Sequence, residues 1–545
     1  MAIASIAGQA CAPAGVQAGS GWLLPSLADC LFVAWILWLF VLGQGGWELL
    51  LADGDTGWHI RIGESILSSG SVPRADPYSF TKPGEPWYAW EWLAGAAYAA
   101  MFRLLGLKGV VLLAGVLIAA FGVLLLRYAL WRGASLLAAL PVCLVAFGAS
   151  SVHFLARPHL FTWLLLVAAL WLWERDRRTP DKWIWLLAPA TALWANLHGG
   201  FLAWLASLGV LAAGRAAEEI AAGSPQNAWR VAKRSAWLWG LCAAASLANP
   251  YGAELHRHAL AYLRADWIRN AVHEFQSPAF RTENSHHFEM LLFAGLMTAA
   301  ARFARGRFAT AGLIVAWAHF SLVSARHIPL FAIVAAPAVA LQITRWWRRL
   351  AAASPDGSLA CILDRLARDW GPGFRRMSLW PAVFVLVLVA LDRPFGWPGD
   401  FPSARFPTAI AERQAALLAH SRVFAHDDWA DYLLFRFHPH QRVFFDGRSD
   451  FYGRDLMRDY LTAYNGRHDW EEILDRYGCE VVFVPPDSPL ASLLKPDPNW
   501  RVVEDDGQAI LFLRRTAAPG GRKSGVERLM KPADFAEGTR GDHGQ

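Results

Sequence analysis

The sequence predicts an all-α polytopic membrane domain of about eleven transmembrane helices, followed by a small extracytoplasmic α/β domain, and three observations predict it. Of 545 residues, 55% are hydrophobic and only 18% charged, an apolar share that a water-solvated surface of this size does not carry. Apolar runs recur through the first 391 residues and then stop. Lys and Arg crowd into every second loop between those runs, the bias that orients membrane proteins. That placement also removes nucleic acid as a partner, because the formal charge of +6 lies in short loops rather than on one basic face. The 29 Trp and 31 Phe suit a chain that meets lipid headgroups many times. Six cysteines, Cys11, Cys30, Cys143, Cys242, Cys361 and Cys479, are scattered without the spacing of a zinc site or a disulfide framework.

In chain order, the apolar runs lie at 31–50, 109–126, 136–147, 160–173, 183–195, 201–211, 237–247, 288–301, 309–323, 328–341 and 379–391. Several fall short of the roughly 20 residues that cross a 30 Å core, so their ends must include flanking polar residues. No Lys or Arg precedes Arg61, and no small-residue cleavage site follows the first run. That run therefore reads as a retained helix rather than a signal peptide, with residues 1–28 as an N-terminal cytoplasmic segment. The Arg-rich loops 127–132, 175–182, 215–234, 302–307 and 345–376 are expected in the cytoplasm. The alternate loops 53–92, 153–159, 196–200, 249–287 and 324–327 are expected outside. This alternation requires the moderately apolar stretch 91–105 to lie on the outer surface instead of crossing. The membrane domain so defined covers 29–392, with a first outer loop at 51–107.

Beyond residue 391 the composition changes. Pro394, Pro398, Pro402 and Pro407 mark a linker over 393–420, and an extracytoplasmic α/β domain follows at 421–515. Strands are expected at 422–425, 442–445 and 480–484, and helices at 428–435, 455–464 and 469–477. A hairpin over 500–503 and 509–514, turning at Glu504-Asp505-Asp506-Gly507, closes the domain. The charged, Gly-rich tail 516–545 reads as disordered.

With this topology, most residues able to do chemistry fall on one face: Asp53, Asp55, His59, Glu91, His153, Arg157, His159, His198, Asn249, His273, Glu274, Arg326 and His327. Ionisable groups at membrane depth are costly, so a set of them at one depth points to a shared polar cavity, although helix capping or headgroup water explains any one alone. The first outer loop is the richest, reading Asp53-Gly54-Asp55-Thr56-Gly57-Trp58-His59 directly after the first helix. Trp58, Ile62 and Ile66 make an apolar stripe suited to lying along the membrane interface. Asp55 and His59 are four apart and share a helix face. An aspartate here can take a proton from an attacking hydroxyl or hold a divalent cation on a phosphate. A helix N-cap would explain Asp55 alone, but not Asp53 as well. Asn249-Pro250-Tyr251-Gly252 reads as a turn, His198-Gly199-Gly200 as a tight hairpin, and Asp446-Gly447-Arg448-Ser449-Asp450 as a strand-ending turn with glycan or phosphate binding as the alternative.

Together with Val72-Pro73-Arg74-Ala75-Asp76-Pro77 and Glu91-Trp92-Leu93, the acidic Asp53-Gly54-Asp55 after the first helix resembles the polyprenyl-phosphate-sugar-dependent membrane glycosyltransferases of the GT-C class, in a bacterial branch. The resemblance implies a GT-C-like membrane domain in the bacterial cytoplasmic membrane. It also implies transfer of a sugar from a polyprenyl-phosphate-linked donor to an extracytoplasmic acceptor, whether glycolipid, glycan or protein, with Asp53 or Asp55 as general base. Predicted depth, rather than the family, nominates Arg157, His159, Arg326 and His327 for the donor phosphate. His59, Glu91, His198, His273 and Glu274 complete the substrate-binding set. Members of the class differ in their use of a divalent ion, so Mg or Mn on Asp53 and Asp55 is compatible with the resemblance and not required by it. Two other readings stay open on the sequence. A transporter or flippase of lipid-linked substrates would also hold a polar cavity, though it would tend to show repeats, and none is visible. A non-catalytic envelope assembly protein would not need paired carboxylates.

Overall fold

The computed structural model describes residues 22–42, 45–374, 376, 378–391 and 396–515. Residues 1–21, the tail from 516 and Pro394, which the sequence assigned to a cytoplasmic segment, a disordered tail and a linker, lie outside the described residues.

Most of the apolar runs fall on single helices. α1 (Leu27–Leu37) opens on a capping box between Ser26 and Asp29 and tightens into a π-turn at Trp38–Leu42. The run at 31–50 is therefore not one helix: Gly45 and Gly46 take positive φ, and Gly46–Leu49 is a separate 3-10 turn. α2 (Asp55–Ser69) and α3 (Trp92–Leu105) follow, then α4 (Leu107–Arg132), α5 (Leu136–Ser150) and α6 (His159–Arg178). α7 (Leu187–Leu197), α8 (Phe201–Ala221) and α9 (Pro225–Ala245) lead to the short α10 (Ala253–Arg264) and α11 (Asp266–Ala271). α12 (Glu283–Phe303), α13 (Phe308–Val323), α14 (Ile328–Ala353), α15 (Leu359–Trp370) and α16 (Trp380–Ala390) complete the apolar part.

Among the described residues, four stretches are long and apolar enough to cross a bilayer: Leu107–Arg132, Leu136–His153, Phe201–Ala221 and Ala325–Ala353. α14 is buried along most of its length, whereas Trp237, Phe293, Met297 and Leu386 on the surrounding helices are exposed. Side chains of that size on an outer helix face are solvated by lipid, not by water. The chain is a multi-pass membrane protein.

The C-terminal part begins with α17 (Thr408–Arg413) and α18 (Ala415–His420), two short helices in the stretch read as a linker. β1 (Val423–Ala425), α19 (Asp427–Phe437), α20 (Ser449–Tyr464), α21 (Trp470–Arg476), β2 (Val481–Val484), α22 (Pro489–Leu494), β3 (Trp500–Asp505) and β4 (Ile510–Arg514) follow. The sheet order is β1-β2-β4-β3, with β1 parallel to β2 and the remaining pairs antiparallel. The expected strand at 442–445 is not one. Val443 makes single bridges, to Val423 on one side and to Ser79, between α2 and α3, on the other, before the buried Asp446 and Arg448 take the chain away. That segment joins the C-terminal sheet to the loop between α2 and α3.

A second join lies between α2 and α19. A Cβ on Gly54 would stand 2.3 Å from the carbonyl oxygen of Asp428, and one on Gly57 would stand 2.8 Å from that of Asp431. The two helices touch through backbone, which only glycine permits. The apolar stripe of Trp58, Ile62 and Ile66 is consequently buried within the protein and does not lie along lipid.

Candidate functional site

The site is built where α2, the turn before α6, the α7–α8 turn, the turn at His273–Phe275 and the start of α14 meet the C-terminal domain. Its centre is Arg157. The guanidinium lies 2.9 Å from Asp53, 2.5 Å from Asp55 and 3.4 Å from Glu274, so carboxylates from two separate loops converge on one cation. Arg326 holds the other oxygen of Glu274 at 3.1 Å and meets the Tyr262 hydroxyl at 3.4 Å, both through Nη1.

Asp53 and Asp55 divide the work between them. The Asp55 amide donates to Oδ1 of Asp53 at 2.9 Å, so Asp53 supplies the capping oxygen at the start of α2. That leaves the Asp55 carboxylate for Arg157 and for the Trp58 indole, which donates to it at 3.1 Å. Across the interface, the Gly447 amide donates to Asp431 at 3.1 Å, and a Cβ on Gly447 would lie 1.9 Å from Oδ1 of Asp55. The C-terminal domain thus closes onto the Asp55 carboxylate itself.

Burial pushes the Asp55 carboxyl up; Arg157 opposes it, Asp53 and Glu274 add to it, and the balance falls at about 7. Burial would also raise Glu274, but Arg326 and Arg157 outweigh it and hold that carboxyl well below the usual carboxylate range. Asp428 and Asp431 are raised well above their ordinary value by burial, helped by Asp53 and Asp55 respectively. One carboxylate is therefore fixed in its ionised form beside another poised to exchange a proton near neutral pH.

A second group surrounds Glu91, whose carboxyl burial pushes up to about 7 against Arg326 and Arg157. It stands between two imidazoles, His59 at 3.5 Å and His198 at 3.4 Å. Burial pushes His198 down to about 3 and holds His59 well below its ordinary value, so these are neutral rings beside a carboxyl and not ion pairs. The Gly200 amide donates to Nδ1 of His198 at 3.0 Å, which leaves the ring proton on Nε2, facing Glu91. The Trp194 indole donates to Thr162 at 2.7 Å, and Thr162 lies 2.8 Å from the same Nδ1, fixing the ring.

The remaining expected residues divide. His159 gives its Nε2 proton to the His153 carbonyl at 2.8 Å and lies 6.5 Å, ring to ring, from His198. His327 is turned to the Phe320 carbonyl at 3.1 Å and to the rings of Trp317 and Phe320, away from the carboxylates. His273 opens the turn that carries Glu274, and its side chain lies outside the described atoms. Sequence reasoning missed Asp428, Asp431, Thr162, Trp194 and Tyr262. The Gly54 and Gly57 spacing was the one available signal, since it demands a backbone partner for α2.

The expected turns do more than turn. Asn249 accepts from the Tyr251 amide at 2.8 Å, and the Tyr251 hydroxyl donates to the Pro73 carbonyl at 3.0 Å. The Ala89 amide in turn donates to that hydroxyl at 2.8 Å, so Tyr251 ties two parts of the loop between α2 and α3 together. Arg448, buried, lies 2.7 Å from Asp76 and 2.6 Å from Asp446, with the rings of Tyr78 and Trp87 against its guanidinium. Asp446-Gly447-Arg448 is thereby an internal clamp on Val72-Pro73-Arg74-Ala75-Asp76-Pro77. A cavity of about 500 Å³ opens beside Trp92, lined by apolar side chains together with Asn196 and Asn249.

Among the described residues, no group of three or more His, Cys, Asp or Glu side chains is arranged to hold a metal ion. The oxygens of Asp53, Asp55 and Glu274 converge on the Arg157 guanidinium, which takes the position a divalent cation would need, so this donor set does not fit a resident metal.

No family model and no curated protein sequence matches the chain. Solved structures do. The Archaeoglobus fulgidus oligosaccharyltransferase, tethered to an acceptor peptide containing an NVT sequon, aligns at 12% identity over 84% of this chain and 68% of its own, with a TM-score of 0.50. The same protein, AglB, in complex with an inhibitory peptide and dolichol-phosphate, aligns at 10% identity over 84% and 69%, also at 0.50. ArnT from Cupriavidus metallidurans, bound to undecaprenyl phosphate, aligns at 14% identity over 93% of this chain and 100% of its own, at 0.47. The chain has the fold of the GT-C glycosyltransferases.

Proposed function

We propose that this protein is a membrane glycosyltransferase that moves a sugar from a polyprenyl-phosphate-linked donor to an acceptor on the side of the membrane where the C-terminal domain lies. The observation that carries this reading is the Asp55 carboxylate, 2.5 Å from Arg157, enclosed by the C-terminal domain and titrating at about 7. A base tuned to the working pH combines a useful deprotonated fraction with real proton affinity.

In this reading the acceptor's hydroxyl or amide attacks the anomeric carbon while the bond from that carbon to the phosphate oxygen breaks. The acceptor proton passes to Asp55, the polyprenyl phosphate departs with the bonding pair, and direct displacement inverts the anomeric centre. Arg157 is a positioning residue, because its charge is already taken up by Asp53, Asp55 and Glu274. Arg326, held through Nη1 alone by Glu274 and Tyr262, is the cation that meets the phosphate. Glu91, between His59 and His198, binds sugar hydroxyls, and the apolar cavity at Trp92 takes the first isoprene units. The carboxylates and Arg157 make a divalent ion unnecessary for the proton transfer. Positive-inside orientation supports a bacterial cytoplasmic membrane with the C-terminal domain outside.

The test is a mass-spectrometric comparison of envelope glycans, glycolipids and glycoproteins from a deletion strain with and without the wild-type chain. One glycoconjugate should lose a defined sugar on deletion and regain it on complementation, which names donor sugar and acceptor. Identical profiles from both strains would overturn the reading.

A further inference from the structure

At the end of the bundle opposite the carboxylates, the C-terminal turns of α4, α6, α8 and α12, the start of α13 and the last third of α14 enclose a second cavity, of about 500 Å³. Eight of its thirteen lining residues are arginines, against the two carboxylates Glu174 and Glu218. Both carboxylates are already engaged. Glu174 accepts from Arg177 at 2.5 Å, and Glu218 from Arg215 at 2.6 Å and from the Ala309 amide at 3.0 Å. The lining keeps a surplus of six positive charges.

The floor of the cavity is buried. Arg132 is 8% exposed and Arg302 is 7% exposed, and the Nε–H of each has no hydrogen-bond partner among the described residues. Gln342, 1% exposed and next in the chain to the lining residue Leu341, accepts from Arg305 at 3.1 Å, and its own Nε2 finds no acceptor among the described residues. A buried donor without an acceptor is costly, more so when charged, so the two guanidinium Nε–H groups on the floor are a demand for an anion. Arg305, Arg307, Arg345 and Arg349 stand exposed around the mouth. Guanidinium forks match phosphate oxygens, and the cavity is in the range, roughly 300–1,000 Å³, of sites for small organic ligands rather than for a bare ion.

We propose that this cavity is a binding site for a ligand carrying two phosphate groups, taken up from the side of the membrane opposite the carboxylates. Two phosphates, at about one to two negative charges each, offset a large part of the surplus that eight arginines and two carboxylates leave, and guanidinium groups stand both on the buried floor and at the exposed mouth to meet them. Two sources carry this chemistry: the headgroup of a diphosphate lipid in the adjoining leaflet, and a soluble diphosphate. The site is independent of the transfer chemistry assigned to Asp55.

Native mass spectrometry of the detergent-purified full chain tests it, with tetraoleoyl diphosphatidylglycerol, inorganic pyrophosphate and dioleoyl phosphatidylcholine as probes. The expected result is binding of diphosphatidylglycerol at least tenfold tighter than of phosphatidylcholine. A variant carrying Arg345→Gln with Arg349→Gln, at the exposed mouth, should weaken that binding at least fivefold with an unshifted ligand-free Tm. Displacement of the lipid by pyrophosphate assigns the site to a soluble diphosphate as well; binding that pyrophosphate cannot displace assigns it to the membrane lipid. If neither diphosphate binds better than phosphatidylcholine, or the mouth variant binds as wild type does, the proposal is wrong.

Discussion

Asp55 is held by opposed forces of which burial is the largest. Burial and the neighbouring carboxylates push its proton on, Arg157 pushes it off, and the result is a carboxyl at about 7. As a base it must be ionised, so transfer should rise about tenfold between pH 6 and pH 8, read as initial rate of sugar transfer in membranes. Stability runs the other way. The folded pKa lies above the ordinary 3.8, so the native state holds this proton more tightly than the unfolded chain does. The group's contribution is full below pH 3.8 and is lost as the pH rises through about 7. Asp55→Asn should therefore be at least as stable as wild type at pH 8 by thermal unfolding, while losing on the order of 100-fold or more in transfer. Arg326→Gln should weaken binding of undecaprenyl phosphate at least tenfold in a native mass-spectrometric titration; unchanged binding would remove Arg326 from the phosphate. At this scale the sequence was informative wherever depth decided the matter. Asp53, Asp55, Arg157, Glu274 and Arg326 do converge. It was silent on Asp428 and Asp431, because nothing in the order of residues says that α19 returns to α2. The capping role it offered for Asp55 belongs to Asp53.

At the scale of elements, the C-terminal domain forms one structure with α2 and the loop that follows it. Gly57 lets α2 touch the backbone of α19, and Arg448 closes the other edge against Asp76. Gly57→Ala forces a methyl group to within 2.8 Å of the Asp431 carbonyl oxygen and should cost about 1–3 kcal/mol, measured by denaturant unfolding in detergent. Arg448→Met leaves Asp76 and Asp446 buried without their cation, at a cost of about 3–5 kcal/mol in the same measurement. Losses under 1 kcal/mol for both would mean that the domain rests on the loop without bracing it. The elements were readable from apolar periodicity and from the hairpin turn. Their joins were not. The strand expected at 442–445 failed because Val443 bridges two different partners, and the first apolar run failed as one helix because Gly45 and Gly46 take positive φ inside it.

For the whole molecule, charge is sorted to the two ends of one apolar bundle. Carboxylates crowd one end and arginines the other. Because the Arg157 guanidinium already stands against the oxygens of Asp53, Asp55 and Glu274, transfer should persist in EDTA at wild-type rate; a loss restored by Mg or Mn would mean that a cation displaces Arg157 during the reaction. The alternation of Arg-rich loops was legible in the sequence, since it needs only the count of charges between apolar runs. The cavity among the arginines was not, because it depends on which helix ends meet.

The account turns on Asp55 as the base of sugar transfer, and one measurement reaches it directly: the glycoconjugate profile of a deletion strain complemented with wild type or with Asp55→Asn at matched protein levels, by mass spectrometry. The expected result is that wild type restores the missing sugar and Asp55→Asn, correctly folded in the membrane, does not. Full restoration by Asp55→Asn would contradict the account, leaving Asp55 as a ligand of Arg157 that holds the loop in place.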